Sequence, residues 1–520
     1  MTHQIARGFR DRRRRIAAAA AIMETILKKL SSKTLGSLGA AIAVPGYDRS
    51  AVRPGIVHFG LGNFHRVHQA VYVDRCLHKP GNEGWGICGV ELIDVPATRA
   101  KAEAYRAQDC LYTVTEYAPD GAAATRVIGA MVDYLHAPDD PEAVLARLSH
   151  ADTRIVSLTI TEGGYNLDET TGVFKLDTPE VVLDLAGGPP RTAFGYIVEA
   201  LRRRREQGTK PFTVMSCDNL RHNGGTARTA IVSFARARDA GLAAWIEAEV
   251  DFPNSMVDRI APQIPPEVKE RLNKRSDIDD AVPALGETFS QWVLEDDFRA
   301  GRPPFEEVGV EMRDDVPAFE FMKGRMLNAS HILLAMPGIL LGYRIVHEAL
   351  GDTRLYRLLE TFLDRDAIPR IEGPKGVSLE AYKNAVLERF SNPAINDQLL
   401  RIAFDTTAKI PVFHSRTLEM LLADGGDLRR EAFFLACFGA YLNGKDDRGE
   451  AFDVVEPRLS EQDWELVRGG NPLDLLRTSP FAKLGLAEHL EFAKLYAGYV
   501  ASIQATSAGQ TLEALLVETA

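Results

Sequence analysis

The sequence predicts an α/β fold over its first half, with a largely parallel sheet and crossover helices, and a second domain that is mainly α-helical. Three observations point there. Between about residue 45 and residue 312, short apolar runs alternate with helical patterns, the arrangement that winds a chain into parallel strands joined by helices. Beyond Pro317 the alternation stops, and helical periods follow one another with almost no strand signal. The chain has 520 residues, 45% hydrophobic and 26% charged, enough for sizeable cores and free of the biased tracts that mark collagen, coiled coils or mucin-like chains.

Taken in order, residues 1–44 read as a basic N-terminal extension without fixed structure. Arg7, Arg10 and Arg12 to Arg15 precede the apolar run Ile16 to Ile22, which mimics a signal peptide, but Glu24, Lys28 and Lys29 follow with no clear small-residue cleavage site. The Pro/Gly punctuation at Val44-Pro45-Gly46-Tyr47-Asp48 marks the start of the folded body. Ile56 to Phe59 is a short buried strand, and Asn63 to His78 a helix. Gly86 to Ile93 and Ala97 to Ala107 repeat the pair. Arg154 to Ile160 and Phe212 to Ser216 are further strands, with a helix from Thr192 to Gln207 before the latter. Residues 45–312 form the first domain by this pattern and 313–520 the second. The helices of the second run over Met326 to Met336, Ile339 to Leu350, Tyr356 to Arg365 and Leu379 to Phe390. They continue over Leu399 to Phe404, Arg416 to Leu422, Arg430 to Tyr441 and Leu486 to Gln504.

Charge and cysteine usage exclude several function classes. The net charge is −11, and the Arg-rich segment before Met23 makes the rest of the chain more acidic still, so a phosphate backbone would be repelled and nucleic-acid binding is excluded. Five cysteines without a CxxC pair build neither a disulfide framework nor a thiolate zinc site, which predicts a reducing, cytoplasmic compartment. The longest apolar stretch, Ile332 to Gly342, falls short of the ~20 residues of a membrane span and contains Pro337. No membrane association is expected.

The first motif is Gly60-Leu61-Gly62-Asn63-Phe64-His65, directly after a strand and opening a helix. That context makes it a candidate dinucleotide-binding turn in a Rossmann-type domain: the first Gly permits the tight turn, and the second lets backbone approach a pyrophosphate at the helix N-terminus. His65 stands where the usual pattern has its third glycine. An acidic residue ending the second strand would hold the adenosine ribose and favour NAD; Asp94 is the first candidate and Glu91 the second, with Arg99 near enough to leave NADP use open.

The second motif is Lys323-Gly-Arg-Met-Leu-Asn328-Ala-Ser-His331, which places Asn328 and His331 on one helix face with Lys323 at the expected helix start. A lysine serves as a base near neutrality only if desolvated or set near other cations. Asn328 could donate to a developing alkoxide, and His331 could orient a second hydroxyl. The same three residues would also suit the polar face of a surface helix. Two further polar, Gly-containing segments follow strands, Thr161-Glu162-Gly163-Gly164-Tyr165 and Ser216-Cys217-Asp218-Asn219-Leu220, and belong at the carboxyl edge of a parallel sheet, where ligands bind.

Together with Ile56 to Ala70, Ala107 to Glu116 and Phe252 to Ile260, these segments resemble the polyol-specific long-chain dehydrogenase/reductase family, from about residue 50 to the C-terminus. The resemblance implies NAD-dependent oxidation of D-mannitol to D-fructose and the reverse reduction, without metal. Lys323 would be the general base, Asn219 and Asn328 would hold the reacting oxygen, His331 would bind a substrate hydroxyl, and Glu320 would gate proton exchange between the lysine and solvent. Asp258, Arg401 and Lys409 match positions around the substrate pocket. Gly60, Gly62, Asn63, Phe64, His65, Arg66, Asp94, Glu162 and Gly163 would form the coenzyme site. The partners implied are NAD and a polyol or ketose, with the chain a monomer or weak oligomer.

The alternatives within the family are fructuronate or tagaturonate reduction and D-arabinitol or sorbitol oxidation. A uronate would require a cation for its carboxylate, for which Arg401 and Lys409 are the candidates. From another class, a catalytically silent NAD-binding sensor would have no need of Lys323, Asn219, Asn328 and His331 together.

Overall fold

The computed structural model of the protein describes residues 27–168 and 171–518. Its strands in chain order are β1 (Lys28–Lys29), β2 (Pro54–Phe59), β3 (Gly86–Glu91), β4 (Tyr112–Tyr117), β5 (Ala123–Ile128), β6 (Met131–His136) and β7 (Ile155–Leu158). They continue with β8 (Thr213–Ser216), β9 (Ser255–Asp258), β10 (Ile278–Asp279), β11 (Ala284–Glu287), β12 (Gln291–Leu294) and β13 (Glu311–Met312). Five of them make one sheet in the order β6-β3-β2-β7-β8, every pair parallel.

Residue alternation explains why this sheet is covered on both faces. Val57, Cys88, Val156 and Val214 point into one apolar layer, closed by the helices Pro141–Ser149, Ala193–Gln207, Asn223–Arg238 and Ala240–Glu249. Their neighbours Ile56, Ile87, Ile155 and Met215 point into the other, against Gln69–Leu77 and Pro96–Ala107. The chain enters at β2, builds outward to β6, then crosses back to β7 and β8. Strand order therefore reverses between β2 and β7, and the crevice at their carboxyl ends is where a doubly wound sheet takes its ligand.

Two three-stranded sheets, β11-β4-β5 and β13-β12-β9, flank the main one, and both mix parallel and antiparallel pairs. From Val316 onward the chain is mainly helical. Its core is built from Ala329–Leu340, Arg429–Tyr441 and Leu490–Ala505, with Leu333, Phe433, Phe434 and Phe492 fully buried.

Several local expectations are corrected. The expected helix Asn63 to His78 is broken at His68 (φ −114°, ψ −88°) into Asn63–Val67 and Gln69–Leu77. Lys323 does not start a helix: it ends Val316–Lys323, which runs on through a π-helical turn, Gly324–Asn328, into Ala329–Leu340. Pro317 occupies the first turn, where its missing N–H costs nothing, so the helix begins earlier than the apolar period suggests. Pro337 sits inside Ala329–Leu340, and the second expected helix there is confined to Val346–Leu350.

Nor is the whole of 1–44 without structure. Lys28 and Lys29 pair with Ile278 and Asp279, Leu30 is buried with Leu111, Val127 and Ile278, and Ala43 bridges Arg126. The remainder of that expectation, residues 1–26, lies outside the described residues. Among the described residues, no helix is long and apolar enough to cross a membrane.

Candidate active site

The turn after β2 is shaped by two glycines with different duties. Gly60 has φ +92°, and a Cβ there would stand 2.0 Å from the Thr159 carbonyl oxygen, so only glycine lets β2 and β7 end side by side. Gly62 is extended, and its Cβ would meet nothing nearer than Gly60 O at 3.8 Å; the surface above the turn is open. The N–H groups of Asn63, Phe64 and His65 have no acceptor among the described residues. Open space facing unpaired donors suits a pyrophosphate, so the residues present fit a dinucleotide.

The neighbouring side chains hold the turn from beneath. His65 is buried and stacked on His58, with ring centroids 3.5 Å apart; burial pushes His58 down to about 3 and His65 well below the usual range. Arg66 donates to Val282 O at 2.6 Å and to Asn63 Oδ1 at 2.6 Å, while Asn63 Nδ2 donates to Pro262 O at 3.0 Å. Phe64 stacks on His68. Across the crevice, Glu162 and Gly163 lie in the one-turn helix Glu162–Tyr165 after β7. Asp218, which sequence reasoning passed over beside Asn219, organises that loop: its carboxylate accepts from Ile160 N, Thr161 N and the Tyr165 hydroxyl.

At the end of β3 the two acidic candidates separate. Glu91 is buried and bound by Lys101 Nζ at 2.6 Å, whereas Asp94 is exposed, flanked by the exposed Ile93 and Val95, and paired with Arg99. Of these two carboxylates, Asp94 is the one open at the surface.

The second domain brings Lys323 to the same sheet edge. Its Nζ, on a side chain only 7% exposed, donates to Asn219 Oδ1 at 2.8 Å and to Val257 O at 2.7 Å. These acceptors come from the loop after β8 and from β9, so the lysine is fixed by the first domain. The π-helical turn matters because closure from Ala329 N to Gly324 O turns residues five apart toward one side, which draws Asn328 toward the face of Lys323. His331 follows three residues later, stacked on Phe390 at 3.9 Å, its buried Nε2 without a partner among the described residues.

Glu320, one turn before Lys323, accepts from His222 N at 3.0 Å through Oε2, while its buried Oε1 has no partner among the described residues. Burial raises its carboxyl to about 7, against the lowering pull of the His222 N–H and the charges of Arg221 and Lys323. On its other side Glu320 borders a cleft of about 750 Å³ that Arg221, Pro317, Phe321 and Lys375 help to line.

Asp258 is buried and grasped by both terminal nitrogens of Arg389 at 2.8 Å; burial would raise its carboxyl, but Arg389 holds it below the usual range. Arg389 also donates to Glu287 at 2.8 Å and stands out as a residue missed from sequence. The charges of Asp258, Arg389, Asp397 and Arg401 all act on the His331 ring, itself pushed down to about 3 chiefly by burial. Arg401 is paired with Asp397 at 2.7 Å. Lys409 donates to the carbonyls of Ile402 and Phe404, at the end of the helix Leu399–Ile402. Lys323, Asn219, Glu320, Asp258 and His331 are thus linked, whereas Lys409 reaches the carbonyls at that helix end.

Chemically, the arrangement sets an amine against two carbonyl acceptors, with amide and imidazole groups on its own helix, beside a turn suited to a dinucleotide.

Comparison with known proteins agrees over both domains. The model of the mannitol dehydrogenase Rossmann domain matches residues 54–307, and that of the mannitol dehydrogenase C-terminal domain matches residues 315–495. A polyol:NADP oxidoreductase of Gluconobacter oxydans (strain 621H) is 49% identical over 454 residues, 87% of this chain and 93% of its own. A mannitol 2-dehydrogenase of Aspergillus fumigatus is 43% identical over 460 residues, 86% of this chain and 91% of its own. Among solved structures, a D-sorbitol dehydrogenase in substrate-free form superposes with TM-score 0.85 at 45% identity, covering 94% of this chain and 99% of that one. The Pseudomonas fluorescens mannitol 2-dehydrogenase, in ternary complex with NAD and D-mannitol, superposes with TM-score 0.86 at 38% identity over the same shares.

Proposed function

This chain belongs to the mannitol dehydrogenase family and is a polyol dehydrogenase that uses a nicotinamide dinucleotide; within that frame we propose that it interconverts D-mannitol and D-fructose with NAD, using Lys323 as general base. The observation that carries the reading is the double anchoring of Lys323 Nζ on Asn219 Oδ1 and Val257 O.

A neutral lysine amine has two N–H donors and one lone pair. Donation to those carbonyl oxygens fixes the position of Nζ, and the amine in its neutral form takes the proton of the substrate's secondary hydroxyl. Because Lys323 occupies Oδ1 of Asn219, the Asn219 amide N–H groups face away from the lysine nitrogen, and together with the Asn328 amide they serve to donate to the oxygen as negative charge develops on it. His331, neutral because buried, hydrogen-bonds a neighbouring hydroxyl. Glu320, raised to about 7 beside the outer cleft, is suited to pass the proton on. When bound, the dinucleotide supplies the electron-pair acceptor for the carbinol C–H. NAD is favoured over NADP by the accessible carboxylate of Asp94.

A second substrate reading, D-sorbitol, is favoured by the 45% identity to a D-sorbitol dehydrogenase. Uronate reduction is disfavoured because Arg401 and Lys409 already hold partners. Initial rates with NAD⁺ and NADP⁺ against D-mannitol, D-sorbitol, D-arabinitol and D-mannonate test the proposal. The highest kcat/KM is expected for D-mannitol with NAD⁺. Turnover of the aldonate alone would replace this reading with uronate reduction, and coenzyme binding without any turnover would replace it with a silent sensor.

A further inference from the structure

The turn after the sheet's outer strand carries a second carboxylate to the place where the adenosine ribose is read. β6 runs parallel to β3 with His136 opposite Glu91, so both strands leave the sheet at the same edge. Asp139 lies in the turn that follows β6 and meets Arg99, which the first turn of the helix Pro96–Ala107 projects from the β3 side. The guanidinium is shared between two carboxylates. Its Nε and Nη2 donate to the two oxygens of Asp94 at 2.7 and 2.8 Å, and its Nη1 donates to Asp139 Oδ1 at 2.9 Å. The other oxygen of Asp139 is 3.2 Å from His136 Nδ1 and 3.9 Å from Arg106. The trio is open to a ligand: the side chains of Asp94, Arg99 and Asp139 are 49%, 49% and 41% exposed.

We propose that Asp139 is a positioning residue for coenzyme selectivity, which engages the remaining arm of Arg99 so that the guanidinium cannot turn to a ribose 2′-phosphate. The inference rests on the reading of Asp94 as the ribose contact. A ribose hydroxyl donates to a carboxylate and tolerates the formal charge of this trio, two acids against one base. A 2′-phosphate, carrying about −1.5 to −2 at neutral pH, is repelled by the two carboxylates, and Arg99, the cation beside Asp94, is spent on both acids. Neutralising Asp139 removes one negative charge and loosens the hold on Nη1, which can then donate to phosphate. The clamp distinguishes the two coenzymes without touching either.

Titration calorimetry of the full-length protein with NAD⁺ and NADP⁺, and with ADP and 2′,5′-ADP as fragments, tests this independently of turnover. Asp139→Asn is expected to tighten NADP⁺ and 2′,5′-ADP on the order of tenfold while leaving NAD⁺ and ADP within about twofold. Arg99→Gln added to that variant should abolish the gain, and Asp139→Glu should keep the original ratio. If Asp94→Asn weakens NAD⁺ but Asp139→Asn leaves the ratio unchanged, the clamp is overturned and the ribose contact stands. If Asp94→Asn leaves NAD⁺ binding unaltered, the ribose reading falls and the proposal with it. Tighter NADP⁺ than NAD⁺ binding by the unaltered protein would also overturn it.

Discussion

Lys323 Nζ donates to Asn219 Oδ1 at 2.8 Å, a bond between residues 104 apart in sequence that ties the helical domain to the carboxyl edge of the coenzyme sheet. Since an ammonium or amine N–H can only be accepted by the amide oxygen, the bond also sets which way the Asn219 amide faces.

The neutral character of that acceptor has a consequence for pH. Asn219→Asp would place a carboxylate against Lys323 and favour its charged form, so the rise of polyol oxidation with pH should move upward by about one to two units. A pH profile of kcat/KM for the variant checks this, and an unmoved profile would separate Asn219 from the titrating base.

Glu320 ties stability to pH with a definite sign. Its carboxyl is raised from the ordinary 4.5 to about 7 by burial, so the folded protein holds that proton more tightly than the unfolded chain does. Its contribution is fully present below about pH 4.5 and is lost as pH rises through about 7. Glu320→Gln removes the group that must ionise, so Tm of the variant relative to the parent should climb between those values and level off above pH 7. Melting curves across that range decide it; a difference independent of pH contradicts the raised value.

Gly60 and Gly62 should respond differently to alanine. At Gly60 the new Cβ meets backbone at 2.0 Å with φ +92°, so Gly60→Ala should lower Tm markedly or prevent folding. Gly62→Ala places its methyl in open space, so the melting curve should stay nearly unchanged while the coenzyme Kd rises on the order of tenfold or more. Equal effects of the two on Tm would argue against a coenzyme face above Gly62.

Arg389 pairs two buried acids, Asp258 and Glu287. Arg389→Leu would leave both unpaired away from water, for a loss of about 3 to 5 kcal/mol measured by denaturant unfolding. A loss below about 1 kcal/mol would mean that the pair is solvated.

Four strands of the parallel sheet were readable because they are short apolar runs, whereas β6, interrupted by Asp133 and ending in His136, was not; Leu379–Phe390 was readable because its helical period is uninterrupted. Lys323 was misplaced at a helix start because a π-helical turn slips the period by a residue, so one continuous helix reads as separate pieces. Arg389 gave no signal, since an arginine near a helix end is ordinary until Asp258 and Glu287, 131 and 102 residues away, are brought to it. The packing of residues 28–30 was hidden for the same reason: two lysines do not resemble a strand, and their partners Ile278 and Asp279 belong to distant sequence. Asp139 likewise becomes visible only when β6 is laid beside β3.

The most direct measurement is D-mannitol oxidation by Lys323→Ala, with and without added methylamine, alongside coenzyme binding by the same variant. Loss of kcat by about 10²- to 10⁴-fold, partial recovery with the amine, and an unchanged coenzyme Kd are the expected results for a lysine base. Turnover near that of the parent, without response to amine, would contradict the assignment.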